Sequence, residues 1–269
     1  MNASTWWFPG GFKKHYARPF LRYLRDRESY RRLYEPSEFF DQFHNLGEDG
    51  IDGDTISPGY PTVDATYHYN AVENGIIAYF KKRGIEPNLV LDIGAGSGHW
   101  IDFYRSVYTP SAIHGADISA ESVRKLKKRF EGMPTVNAHH TDLLSSNEWN
   151  SNSFNVINAI GVIFHIVDDR KWERTIQWCS DKLSPGGVFV VGGLFGPFTA
   201  NVQFNPVRFT SAEEIERGTT GLACNKRVRS RRKWKRTLKA CGFREVTFRR
   251  TRIARCIHTP ENNLLFAVK

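Results

Sequence analysis

Apolar and polar positions along this chain change rhythm between segments. From residue 85 to residue 192, short apolar runs rich in branched side chains alternate with stretches whose apolar residues recur every three or four positions. The run from Asn88 to Ile93 is almost wholly apolar and stops at Gly94, which predicts a parallel strand covered on both faces. Further strands are predicted at Ala112 to Ala116, Thr135 to His140, Phe154 to Ile160 and Gly187 to Val191. Helices are predicted at Ala120 to Phe130 and Arg170 to Leu183. Strands that alternate with helices predict a mostly parallel sheet with helices on both faces.

On either side of this block the pattern is different. Residues 17 to 34 place Phe20, Leu21, Leu24 and Leu33 among arginines at helical spacing, as in a basic amphipathic helix. Gly47 to Pro61 is rich in Gly, Asp, Ser and Pro, which favour turns, and a helix is expected from Tyr69 to Lys82 with Gly84 as its C-cap. These signals divide the chain into an amino-terminal extension, residues 1–66, and a main domain, residues 67–269. Toward the end, Arg229 to Ala240 reads as a helix stopped by Gly242, and Glu245 to Arg250 and Asn263 to Val268 read as strands of a terminal hairpin. Residues 193–225 are longer than a simple crossover and carry Phe195, Phe198, Phe204 and Phe209, which predicts a lid inserted over an acceptor pocket. Ser211 and Glu214 have the spacing of a capping box within it.

Length and composition narrow the class. A chain of 269 residues buries one sizeable core, and no apolar stretch approaches the roughly 18 residues needed to cross a bilayer. Trp6, Trp7 and Phe8 give way at once to Lys13, Lys14 and Arg18, unlike a secretory signal. Cys179, Cys224, Cys241 and Cys256 form no C-x-x-C pair, so neither a zinc site nor a disulfide framework is indicated, and a cytoplasmic location is expected. The net charge of +10 is uneven: Leu33 to Phe80 holds no Lys or Arg, whereas Lys226 to Arg255 is crowded with them.

The stretch with the most chemistry is Leu89-Val-Leu-Asp-Ile-Gly-Ala-Gly-Ser-Gly-His-Trp100, a buried strand that passes through a glycine turn into a helix. Without a Cβ, Gly94 and Gly96 let the backbone turn sharply against a ligand, and Gly98 lets the next helix approach. The dinucleotide pattern G-x-G-x-x-G requires a small residue where His99 stands, so the G-x-G-x-G spacing points elsewhere.

On Asp92, Gly94, Gly96 and Gly98 the chain resembles the class I S-adenosylmethionine-dependent methyltransferases, whose first strand leads into Asp-x-Gly-x-Gly-x-Gly. The resemblance continues at Gly115-Ala-Asp-Ile-Ser119, where it implies that Asp117 binds both ribose hydroxyls, and at His140-Thr-Asp-Leu143, where it implies that Asp142 and the Leu143 backbone meet the adenine. It also covers the apolar run Ala159-Ile-Gly-Val-Ile-Phe-His165 after the fourth strand, which resembles small-molecule members of the class, and Pro185-Gly-Gly187 before the fifth. It implies a Rossmann-like seven-stranded mixed sheet, mostly parallel with a terminal antiparallel hairpin, with S-adenosyl-L-methionine as cofactor and no metal. It places Tyr69, Asp92, Gly94, Ala95, Gly96, Gly98, Asp117, Ile118, Asp142, Leu143 and Ile160 about the cofactor. Structural roles compete for two of these residues, a helix cap for Asp117 and an Asx turn for Asp142.

A methyl sulfonium is already an activated electrophile, so alignment of the acceptor and exclusion of water are the main tasks. An acceptor hydroxyl or protonated amine also needs a base, for which His165 is the candidate, beside the alternative that it only packs or bonds a carbonyl. The expected acceptor is a small molecule or glycan. An RNA acceptor is the second reading, resting on Lys226, Arg227, Arg229, Arg231, Arg232, Lys233, Lys235 and Arg236. A third is a non-catalytic cofactor-binding scaffold whose basic helices touch an anionic membrane surface or partner. Oligomeric state is not legible.

Overall fold

A computed structural model describes residues 36–45, 62–146, 148–193, 195–196, 201–207, 224–251 and 263–269. The predicted helix at 17–34, the turn-rich segment 47–61 and the Ser211/Glu214 capping box lie outside the described residues. In chain order the elements are α1 (Pro36–Asn45), α2 (Thr62–Arg83), β1 (Leu89–Ile93), α3 (His99–Val107), β2 (Ala112–Asp117), α4 (Ala120–Arg129), β3 (Val136–His140) and β4 (Phe154–Ile160). Then come α5 (Asp169–Lys182), β5 (Leu183–Gly192), β6 (Phe195–Gly196), β7 (Asn201–Val207), β8 (Cys224–Ser230), α6 (Arg231–Ala240), β9 (Glu245–Arg250) and β10 (Asn263–Val268).

Seven strands form one sheet in the order β3-β2-β1-β4-β5-β10-β9. The first five are parallel, and β10 runs antiparallel between β5 and β9. The fold is therefore the expected Rossmann-like mixed sheet. Successive residues face opposite ways, as a pleated strand requires. Val90, Val156 and Val190 face the layer of α2, α3 and α4, whereas Leu91, Ile157, Phe189 and Val191 face α5 and α6. Each large apolar side chain buried this way contributes roughly 1.5–3 kcal/mol. Tyr79 of α2 stacks on Phe266 of β10 at 3.9 Å, and Trp172 of α5 meets Trp234 of α6 edge-on at 4.9 Å.

Helix starts follow from side-chain caps: Ser119, Asp168 and Ser230 each accept a first-turn N–H, opening α4, α5 and α6. Three boundaries differ from the pattern reading. The helix expected from Tyr69 begins at Thr62, and β5 begins at Leu183 instead of Gly187, because Leu183 pairs with Phe154 before a register shift. Arg229 opens no helix: it lies in β8, and α6 starts after the Ser230 cap. β8 pairs with β7 and β6 in a second, three-stranded sheet, so the inserted segment has sheet structure of its own. Among the described residues no helix is long and apolar enough to cross a membrane.

Candidate cofactor and acceptor site

The turn after β1 holds three glycines at positive φ: Gly94 at 65°, Gly96 at 54° and Gly98 at 94°. They do different work. A Cβ on Gly94 would fall 2.3 Å from Val162 Cγ2, and one on Gly98 would fall 2.5 Å from the Phe130 ring, so both positions are closed by the protein's own packing. Gly96 alone of the three is uncrowded: a Cβ there would make only ordinary van der Waals contact, its nearest side-chain atom being His44 Cε1 at 3.7 Å. Of the two glycines expected to approach a ligand, Gly94 points at Val162, and only Gly96 has an uncrowded Cβ direction. Ala95 is buried, its methyl packed toward Gly115.

Asp117 ends β2 beside this turn and does not cap the following helix, a task done by Ser119. Its Oδ2 accepts from the Gly96 N–H at 2.9 Å and its Oδ1 from the Ser119 N–H at 2.9 Å. Ile118 follows, its carbonyl accepting from His140 Nε2 at 3.1 Å. Asp92 lies beneath the turn with no solvent exposure. Its Oδ1 accepts from Asn158 Nδ2 at 2.7 Å, and its Oδ2 has no partner among the described residues. Burial pushes its carboxyl up to about 7.

Asp142 forms the Asx turn, its Oδ1 accepting from the Leu144 N–H at 3.3 Å, while its Oδ2 pairs with Lys171 Nζ at 2.8 Å. Leu143 is buried in the core, and Ile160 sits at the open end of β4 with its side chain against Gly192. Tyr69 stacks on His99 at 3.6 Å, and His99 in turn meets Glu73 at 2.8 Å. The Tyr69 ring is therefore held at the start of α3, next to the glycine turn.

His165 closes a short 3-10 turn after β4, its N–H bonded to the Val162 carbonyl at 2.8 Å. That loop is held from behind by β8. Arg229, only 1% exposed, donates to the Ile166 carbonyl at 2.8 Å and to Asp169 at 2.9 Å, with its guanidinium 4.5 Å from the Trp172 ring centroid. Arg227 donates to the Val167 carbonyl and Asp169, both at 3.0 Å, and Lys226 lies 4.9 Å from the Phe164 ring. Burial works against the ionised form of Asp169, but hydrogen bonds from Lys233 and Arg229 outweigh it and hold the carboxyl at about 2. Much of the basic cluster is thus turned inward, leaving Arg232, Lys235 and Arg236 exposed. Phe195 of the inserted segment packs on Trp234 and Phe248 against the core. Phe198 and Phe209, and the Phe204 side chain, lie outside the described residues.

α1 was not foreseen. Its signal was present in Pro36, suited to a first helical turn, followed by Phe39, Phe40 and Phe43 at helical spacing. Phe40 meets His165 edge-on with centroids 5.1 Å apart, and Asp41 and His44 reach the cofactor side. Burial lowers the His44 pKa, against the pull of the Asp117 carboxylate.

These residues fit an adenosyl group. Gly96 leaves bare backbone between the His44 ring and the Asp117 carboxylate, that carboxylate sits at the strand end with lone pairs to spare, and an aromatic pair borders the turn.

Residues 90–187 match the model of a methyltransferase domain. No curated protein matches the chain in sequence. Among solved structures, the DhpI complex with S-adenosylmethionine superposes with TM-score 0.57 at 16% identity, covering 90% of this chain and 97% of that one. The Burkholderia thailandensis 1,6-didemethyltoxoflavin N1-methyltransferase superposes with TM-score 0.56 at 16% identity, covering 88% and 91%. CalS10, an amino-pentose methyltransferase from Micromonospora echinaspora, gives 0.55 at 13% identity, covering 79% and 98%.

Proposed function

Since residues 90–187 match the model of a methyltransferase domain, we propose that this chain moves the methyl group of S-adenosylmethionine to an O or N atom of a small-molecule or glycan-type acceptor, with His165 as the base. The observation that carries this reading is the pairing of the uncrowded Gly96 face with the Asp117 carboxylate at adjacent strand ends. Asp117 receives the ribose hydroxyls on its remaining lone pairs, and Asp142 with the Leu143 backbone borders the adenine. Tyr69, Ile118 and Ile160 line the same cleft.

The cofactor supplies a methyl group already activated by positive charge on sulfur. The chain's residues then have two tasks. The glycine turn and Asp117 fix the donor's direction, and His165 accepts a proton from the acceptor's hydroxyl or ammonium as its oxygen or nitrogen gains the methyl. Two solved neighbours that act on small molecules, the 1,6-didemethyltoxoflavin and amino-pentose methyltransferases, support that acceptor class. The inward engagement of Arg227, Arg229 and Lys233 on Asp169 weakens the polyanion reading, since those three cations are turned toward one buried-side carboxylate and not outward to a ligand.

Calorimetry with S-adenosylhomocysteine, followed by a labelled-methyl screen against small-molecule, RNA and protein fractions, tests this function. Binding and label in the small-molecule fraction are expected. A folded protein that ignores both the cofactor and its demethylated product would overturn the reading, and label confined to RNA would overturn the acceptor class.

A further inference from the structure

The one described helix of the amino-terminal extension, α1, converges on the same cleft from the side opposite the sheet. Asp41 Oδ1 accepts the Ser119 hydroxyl at 2.6 Å and the Glu121 N–H at 3.2 Å. A carboxylate from α1 therefore serves the first turn of α4, where free amides and the helix dipole favour an anion. One turn further on, the His44 carbonyl accepts from Lys125 Nζ, and the His44 ring stands before the uncrowded face of Gly96. Phe40 lies on the other flank, edge-on to His165 at 84°. One short helix thus touches the residues that follow β1, β2 and β4, three strands adjacent in the sheet.

We propose that α1 is the closing wall of the cofactor cleft, that Asp41 is the latch holding it shut, and that the adenosyl cofactor and its product exchange only when Asp41 releases Ser119 and Glu121. The proposal rests on the reading of this cleft as the S-adenosylmethionine site. The sheet end supplies only one side of a cradle, and a reactive sulfonium needs water kept from its methyl group. α1 supplies the missing side. Beside the Lys125 contact to the His44 carbonyl and the Phe40 packing, Asp41 supplies the one side-chain carboxylate through which α1 holds the first turn of α4, with two donors that lid motions on the millisecond scale can release. Closure also sets the Phe40 ring against the candidate base, so one movement encloses the donor and completes the acceptor side.

Full-length protein and its Asp41→Ala variant are compared in two measurements with S-adenosylhomocysteine: stopped-flow dissociation, and hydrogen exchange over residues 36–45 with and without the compound. Dissociation about tenfold faster in the variant is expected, the loss of roughly one charge-assisted hydrogen bond, together with ligand-induced protection of α1 in the wild type. A folded variant that releases the compound at the wild-type rate overturns the latch. Should the variant fail to fold, exchange in the wild type decides alone, and unchanged exchange at α1 overturns the proposal. Wild-type protein that does not bind the compound overturns the cofactor reading itself, and the latch with it.

Discussion

The main-chain N–H of Gly96 donates to Asp117 Oδ2 at 2.9 Å, so the turn that follows β1 is tied to the last residue of β2 through a carboxylate. The same carboxylate takes the Ser119 N–H, which spends two of its roughly four acceptor positions and leaves the others to the cleft. Asp117→Asn removes the charge and turns an NH2 toward a main-chain donor. S-adenosylhomocysteine is expected to bind about ten- to a hundredfold more weakly, roughly 1.4–3 kcal/mol, with secondary structure retained. Calorimetry beside circular dichroism checks this; affinity equal to wild type removes Asp117 from the cofactor contacts.

Gly94 and Gly132 separate backbone strain from crowding. Both have positive φ, 65° and 76°, but a Cβ on Gly94 lands 2.3 Å from Val162 Cγ2 whereas one on Gly132 meets nothing within 4 Å. Gly132→Ala is expected to cost about 1–2 kcal/mol for the left-handed backbone alone. Gly94→Ala adds overpacking of about 1–3 kcal/mol. Urea unfolding of the two variants gives the difference, and equal losses would mean that Val162 yields freely.

What the sequence made legible follows from the kind of signal each element carries. β1, β4 and β5 are covered on both faces, so their apolar runs stand out, and the glycine turn is readable because positive φ restricts the residue type. Strand β8 was invisible because its buried residues include Lys226 and Arg229, which burial statistics send outward. Asp169 and the Ile166 carbonyl, about sixty positions away, are what Arg229 reaches in the interior, and Lys226 lies against the Phe164 ring. Helix α1 escaped notice for a related reason: its partners Ser119 and His165 are remote in sequence, and pattern alone assigns no destination to a short apolar stripe. The split between Gly94 and Gly96 was likewise hidden, since it depends on Val162 from a different strand's loop.

Arg229 is the strap of the acceptor loop. Arg229→Met keeps much of the volume over Trp172 but leaves the Ile166 carbonyl and one oxygen of Asp169 without their donor. Breaking such a pair from the buried side is expected to destabilise the fold by about 3 kcal/mol. The partner's acidity gives an independent reading. Asp169 has a folded pKa lowered from 3.8 to about 2, so its contribution is present above pH 4 and is lost as pH falls toward 2. Acid unfolding of the wild type should therefore steepen over that window. The Arg229→Met variant should show a shallower slope there; an identical acid limb would mean that Lys233 and Arg227 hold Asp169 unaided.

In the proposed function His165 is the base. It stands at the end of the loop that leaves β4, backed by the Arg229 strap and faced by the Phe40 ring. A base must be neutral to accept a proton, so turnover is expected to fall on the acid side of the profile. His165→Ala is expected to lower kcat by at least about a hundredfold with KM little changed, the size of a lost general base. His165→Gln, which keeps a polar side chain of similar reach but takes up no proton, should be equally slow, and neither variant should retain the acid limb. A purely packing role predicts the opposite pattern: Gln rescues, KM rises, and the limb persists. Steady-state rates of the three proteins across pH, with the acceptor identified by the labelled-methyl screen, separate the two.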